Sequence, residues 1–180
     1  MTDRAIHPNT KAILKAWRRL SSSSTGAFGD PKVSDFPNLL SSLFVLKQVD
    51  TNIWPFTNAG NELSRKLGRD LIEQDFLSLW RGRDMALVAA QLDAVRFSGT
   101  PGLIRSKGET ISGECIDIEI TLAPLRTAGV QGERLLGLYQ VLSDESILRG
   151  RPVWRHSVEA LFAPQQYQAE TPLRLVASNE

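Results

Sequence analysis

The sequence predicts an α+β fold, a five-stranded antiparallel sheet with short helices on one face and one more helix at the N-terminus. Three observations lead there. Two strand-like runs, residues 43–50 and 52–56, are joined by a tight turn; broken helical runs fill residues 57–97; and three further strand-like runs lie between residues 103 and 142. That series, with short turns inside each group of strands, implies antiparallel pairing with the helices gathered on one side.

At 180 residues the chain suits one domain with terminal extensions. A formal net charge of +1, from 21 basic and 20 acidic residues, gives no general electrostatic case for nucleic acid or an anionic membrane. Cys115 is the only cysteine, which excludes an intrachain disulfide and a cysteine-based zinc site within one chain. The start, MTDRAIHPNTK, lacks the apolar stretch of a signal peptide, and no apolar run approaches the ~20 residues that span a bilayer. A reducing, cytoplasmic setting is the expectation.

Residues 10–20 read as a helix with Thr10 as its N-cap, because Ile13, Leu14, Trp17 and Leu20 recur at helical spacing between basic residues. The run SSSSTGAFGDP at 21–31 breaks the pattern and reads as a linker, so residues 1–33 form an N-terminal helix and linker. The main domain covers 34–143, opening with a short helix over 34–42. Pro55 cannot donate to a ladder, which places the strand over 52–56 at a sheet edge. Residues 83–97 form an amphipathic helix with Met85, Val88, Leu92 and Val95 as its apolar stripe. After a weaker strand at 103–107 comes the clearest one, 114–122. Ile116, Ile118, Ile120 and Leu122 alternate there with Asp117, Glu119 and Thr121, which predicts one buried and one solvated face. A glycine-bearing turn at 128–133 leads into the last strand, 135–142. Residues 144–180 form a C-terminal arm, helical in part over 144–162 and poorly ordered beyond.

That order resembles a PAS domain. The words carrying the resemblance are AWRRL at 16–20, FTNAGNELSRKLGRDLIEQDFLSLW at 56–80 and IEITLAPLR at 118–126, and they are similar to a family of stand-alone bacterial, alphaproteobacterial PAS-like proteins. The resemblance implies the sheet order 2-1-5-4-3, a small cavity between sheet and short helices, and a sensory or regulatory module that is often dimeric and not an enzyme. The chain departs from the pattern in three ways. It has no cysteine in the helical segment, which argues against a photoactive flavin adduct. His7 and His156 both read as lying outside the core, which argues against haem. Glu73 or Gln74 stands where the family turn carries glycine.

Several residues carry a functional reading beside a plainer one. Trp54, Phe56, Phe76 and Trp80 are candidate walls of a ligand cavity, completed by Leu63, Leu67, Met85 and Val88 from the helices. Ile118, Ile120 and Leu138 would form its sheet floor; the plainer reading is a filled core. Ile13, Leu14, Trp17 and Leu20 are dimer-interface candidates, with packing on their own sheet as the alternative. The spacing of Arg151 and Arg155 is similar to the arginine pair that holds a cyclic dinucleotide in PilZ domains. The companion Asp/Asn-x-Ser-x-x-Gly motif is absent, so a solvated charged segment is the simpler account. Asp117 and Glu119 read as surface carboxylates, and Cys115 as a small, partly buried residue. No catalytic or metal-ligating constellation is legible. The expected function is a cytoplasmic PAS-like regulatory domain acting on a partner protein, with a small-molecule ligand or a filled scaffold core as the alternatives. A small cone-shaped-pocket enzyme is the remaining rival, disfavoured by the lack of His/Asp or Tyr/Asp pairs.

Overall fold

The computed structural model describes residues 6–22, 39–127 and 130–164. The predicted linker from residue 23 onward, most of the helix expected at 34–42 and the end of the C-terminal arm lie outside the described residues, whereas Ser21 and Ser22, read as the start of the linker, continue the N-terminal helix. The elements are α1 (Pro8–Ser22), β1 (Leu43–Lys47), β2 (Phe56–Ala59), α2 (Asn61–Leu67), α3 (Gly82–Ser98), β3 (Gly102–Glu109), β4 (Cys115–Thr127), β5 (Val130–Val141) and β6 (Arg155–Phe162). Single 3-10 turns stand at Leu40–Ser42, Phe76–Leu79 and Glu145–Leu148.

The six strands form one sheet in the order β2-β1-β5-β4-β3-β6, and each pair is antiparallel. The order 2-1-5-4-3 implied by the resemblance is therefore present, with β6 added outside β3. That addition corrects the reading of residues 144–162. Only Glu145–Leu148 winds into a helical turn, and Arg155–Phe162 is a strand. β2 does lie at an edge. It starts at Phe56 rather than at residue 52, because Ile53 donates to the Asp50 carbonyl at 3.1 Å and the tight turn consumes the residues before it.

α1 begins at Pro8, where a missing N–H costs nothing. His7 rather than Thr10 caps it: the Asn9 N–H donates to His7 Nδ1 at 3.1 Å. α2 ends at Gly68, whose φ of +63° suits glycine and whose Cβ, if present, would sit 2.5 Å from Pro152 Cβ. The following turn survives the loss of the family glycine, because Glu73 itself takes a left-handed conformation with φ +64°.

The sheet is covered on both faces. The inner face carries Phe44, Leu46, Ile118, Ile120, Leu135 and Tyr139 under α2 and α3. The outer face carries Leu43, Leu125, Leu136 and Leu138, packed with Leu39 against Ile13 and Leu14 of α1. The expectation of a solvated outer face is thus corrected: Glu119 and Thr121 are both fully buried. Among the described residues no helix is long and apolar enough to cross a membrane.

Candidate functional site

The inner face is built around aromatic rings. Phe44 and Phe56 meet edge to face at 5.4 Å between centroids, Phe44 and Phe76 stack at 5.6 Å, and Phe76 meets Trp80 at 6.3 Å. Such rings supply large apolar area with preferred geometry. Gly137 of β5 lets Phe44 lie flat on the sheet; a Cβ there would fall 2.0 Å from the ring.

At the β6 end of the same face stands a polar group. Tyr139 Oη and His156 Nε2 lie 2.8 Å apart, both residues being buried. The Trp80 ring covers the imidazole at 5.1 Å. Burial, the largest cause, pushes His156 down to about 4, with the nearby Arg69 charge adding to it and a contact with the Leu79 backbone opposing it. The imidazole is therefore neutral at pH 7. Burial likewise raises the Tyr139 phenol well above its ordinary range. Trp80 Nε1 and Ser106 Oγ are buried nearby and have no hydrogen-bond partner. Ser106 faces inward two residues from Gly108, the residue opposite His156. The expectation that both histidines stay outside the core is corrected here: β6 carries His156 into it.

The outer face holds a different arrangement. Arg105 of β3 lies directly opposite Glu119 of β4, and Arg105 Nη2 contacts Glu119 Oε2 at 2.5 Å. The Thr10 hydroxyl donates to Glu119 Oε1 at 2.5 Å and the His7 N–H donates to the same oxygen at 3.2 Å. The first turn of α1 thus grips a buried carboxylate, favoured by its free N–H groups. Two more bonds hold the helix: Asn9 Nδ2 donates to Gln140 Oε1 at 2.8 Å, and Trp17 Nε1 donates to the Pro124 carbonyl at 2.8 Å.

The structure brings most of the predicted cavity residues together. Trp54, Phe56, Leu63, Leu67, Phe76, Trp80, Val88, Ile118 and Ile120 share the inner core. Two do not belong there. Met85 is 44% exposed, because the buried side of α3 runs through Val88, Gln91, Leu92 and Val95. Leu138 points to the outer face, where it meets the α1 side of the sheet.

Of the dimer candidates, Ile13 and Leu14 are buried in their own chain and Trp17 is half-buried; the side chain of Leu20 lies outside the described residues. Arg151 pairs with Glu114 and with Ser112 Oγ, and Arg155 pairs with Glu109 at 2.7 Å, so carboxylates of the β3–β4 hairpin already hold both guanidiniums. Hydrogen bonds from Thr110, then Ser112 and the Glu114 N–H, lower the Glu114 carboxyl to about 2. Cys115 is exposed rather than partly buried. Among the described residues no three His, Cys, Asp or Glu side chains gather to hold a metal.

Sequence reasoning missed His156 and Glu119. For His156 the available signal was the alternation of His156 and Val158 with Arg155, Ser157 and Glu159. For Glu119 nothing local distinguished it from a surface carboxylate.

A family model described as "PAS domain" matches residues 5–140. No curated protein matches the chain. Among solved structures, the chain is similar to a LOV protein of Rhodobacter sphaeroides, at 15% identity and a TM-score of 0.47, over 77% of this chain and 70% of that one. It is also similar to the LOV domain of a blue-light activated histidine kinase from Erythrobacter litoralis, at 14% identity and a TM-score of 0.47, over 59% of this chain and 100% of that one. Likenesses this distant carry nothing further to this chain.

Proposed function

The chain belongs to the PAS domain family, and from that premise we propose that it is a non-catalytic regulatory module which passes its state on by protein contact. The grip of α1 on Glu119 is the observation that carries this reading. Along β4, Ile118 and Ile120 pack into the inner core while Glu119, between them, reaches the helix on the other side. A change in inner-face packing that shifts β4 therefore also shifts the residue that holds α1. α1 presents Lys11, Lys15, Arg18 and Arg19 as its exposed side, a basic surface suited to an acidic partner.

Hydrogen exchange tests the connection. Ile120→Ala opens space on the inner face, and the amides of α1 should then exchange faster than in the parent protein. Unchanged exchange in α1, with faster exchange confined to the inner core, would sink the reading.

A second reading, a small ligand in the core, has its own support. Trp80 Nε1 and Ser106 Oγ are buried polar atoms without partners, and such atoms are costly unless something satisfies them. An uncharged hydrogen-bonding molecule suits them, beside a neutral imidazole. Native mass spectrometry with an absorption spectrum of the purified protein decides between this and a scaffold whose rings fill the core. A mass equal to the bare chain and no absorption beyond the aromatic residues would favour the scaffold.

A further inference from the structure

We propose that β6 is exchanged between two copies of this chain, so that each copy's β6 completes the other's sheet at the β3 edge. β6 lies outside the family-matched residues and is seated in an unusual way. Of its eight residues only His156 is buried. Val158 and Leu161 pack, half-buried, against the inner core, and its remaining attachments are polar. The Val158 N–H donates to Asp84 Oδ2 at 3.1 Å, and Gln91 Nε2 donates to the Phe162 carbonyl at 2.8 Å. Lys107 pairs with Glu159 at 3.2 Å and Glu109 with Arg155 at 2.7 Å. Tyr139 meets His156 at 2.8 Å. Every one of these partners lies on the body of the domain. The same bonds form whichever copy supplies the strand, which is the condition under which exchange costs little.

The connection is what distinguishes the two arrangements, and it is strained in the closed one. Arg149 and Gly150 are consecutive left-handed residues, with φ of +50° and +75°. Arginine rarely adopts that region, and strain in a hinge invites swapping. An extended hinge relieves Arg149 and carries β6 away from its own body. Two large apolar side chains flank this hinge and face solvent in the single chain: Ile147 is 47% exposed and Trp154 is 55% exposed. Two extended hinges running past each other bring these side chains against their counterparts. α1 is not available for the same purpose, because Ile13 and Leu14 are spent on their own sheet. The regulatory reading does not depend on which copy supplies β6, so either can fail without the other.

Lys107 and Ser157 stand directly opposite each other on β3 and β6, and both are exposed. The test is the full-length triple variant Lys107→Cys, Ser157→Cys, Cys115→Ser, separated by size exclusion, oxidised and run on a non-reducing denaturing gel. Exchange predicts an interchain bond, hence a covalent dimer, in the dimer fraction, and an intrachain bond in the monomer fraction. A dimer fraction that yields only intrachain bonds, or a protein that stays monomeric at every concentration, overturns the proposal. Arg149→Gly supplies a second readout without new cross-links. Relief of the closed hinge should lower the dimer-to-monomer ratio by about fivefold. A ratio that does not move counts against the exchange.

Discussion

The two faces of the sheet bury their polar groups by opposite means. On the inner face Tyr139 and His156 are both neutral and share one hydrogen bond within an aromatic core. On the outer face Arg105 and Glu119 are buried as a charged pair beneath a leucine seam, completed by groups from α1. A neutral pair loses little when water is removed, whereas a buried ion pair depends on every bond around it. The inner face therefore tolerates rearrangement better, and the outer face enforces one docking geometry for one helix.

The largest test of that contrast is at the ion pair. Glu119→Leu leaves the Arg105 guanidinium buried without the carboxylate opposite, and urea unfolding should show a loss of roughly 3–5 kcal/mol. Adding Arg105→Met should restore most of it; a double variant as unstable as the single one would show that charge pairing is not what matters there.

The neutral pair is tested by pH. His156 has a folded value of about 4, below the ordinary histidine value of 6.5, so the unfolded chain takes up the proton first as pH falls. Its contribution is complete above pH ~6.5 and is lost between ~6.5 and ~4, by roughly 3 kcal/mol in all. Thermal melts across that window should slope downward toward acid, and His156→Gln should flatten the slope; equal slopes in both proteins would refute the assignment.

Packing comes next. Gly137→Ala thrusts a methyl into the Phe44 ring and should cost about 1–3 kcal/mol in denaturant titrations, because the ring is hemmed in by Phe56 and Phe76. Two exposed positions serve as controls for both faces. Glu73→Gly removes a left-handed side chain and should gain about 1 kcal/mol. Met85→Ala should change stability by no more than about 0.5 kcal/mol, and a larger loss would return Met85 to the core.

The inner face was legible because its signals are local. Ile116, Ile118, Ile120 and Leu122 alternate in one strand, and Pro55 marks an edge by lacking a donor. The outer face was not, because the helix that buries Glu119 and Thr121 lies far upstream, and period-two alternation reports only that two sides differ. Leu138 was misplaced for a related reason: residues 135–141, LLGLYQV, are apolar on both sides, so periodicity does not say which side is which. Met85 fits the predicted stripe, yet the contact side of α3 is turned so that the polar Gln91 is inside and Met85 is out. β6 hid because only one of its eight residues is fully buried and its apolar residues, Val158, Ala160, Leu161 and Phe162, do not alternate cleanly.

The distance between Thr10 and Glu119 along the chain, 109 residues, also bears on how the protein is made. At ordinary elongation rates roughly 5–20 s separate the emergence of the two from the ribosome. Throughout that interval the apolar stripe of α1 has no seat. α1 thus leaves the ribosome well before the residues that seat it, and a stretch rich in lysine and arginine is well suited to stay in solution while it waits.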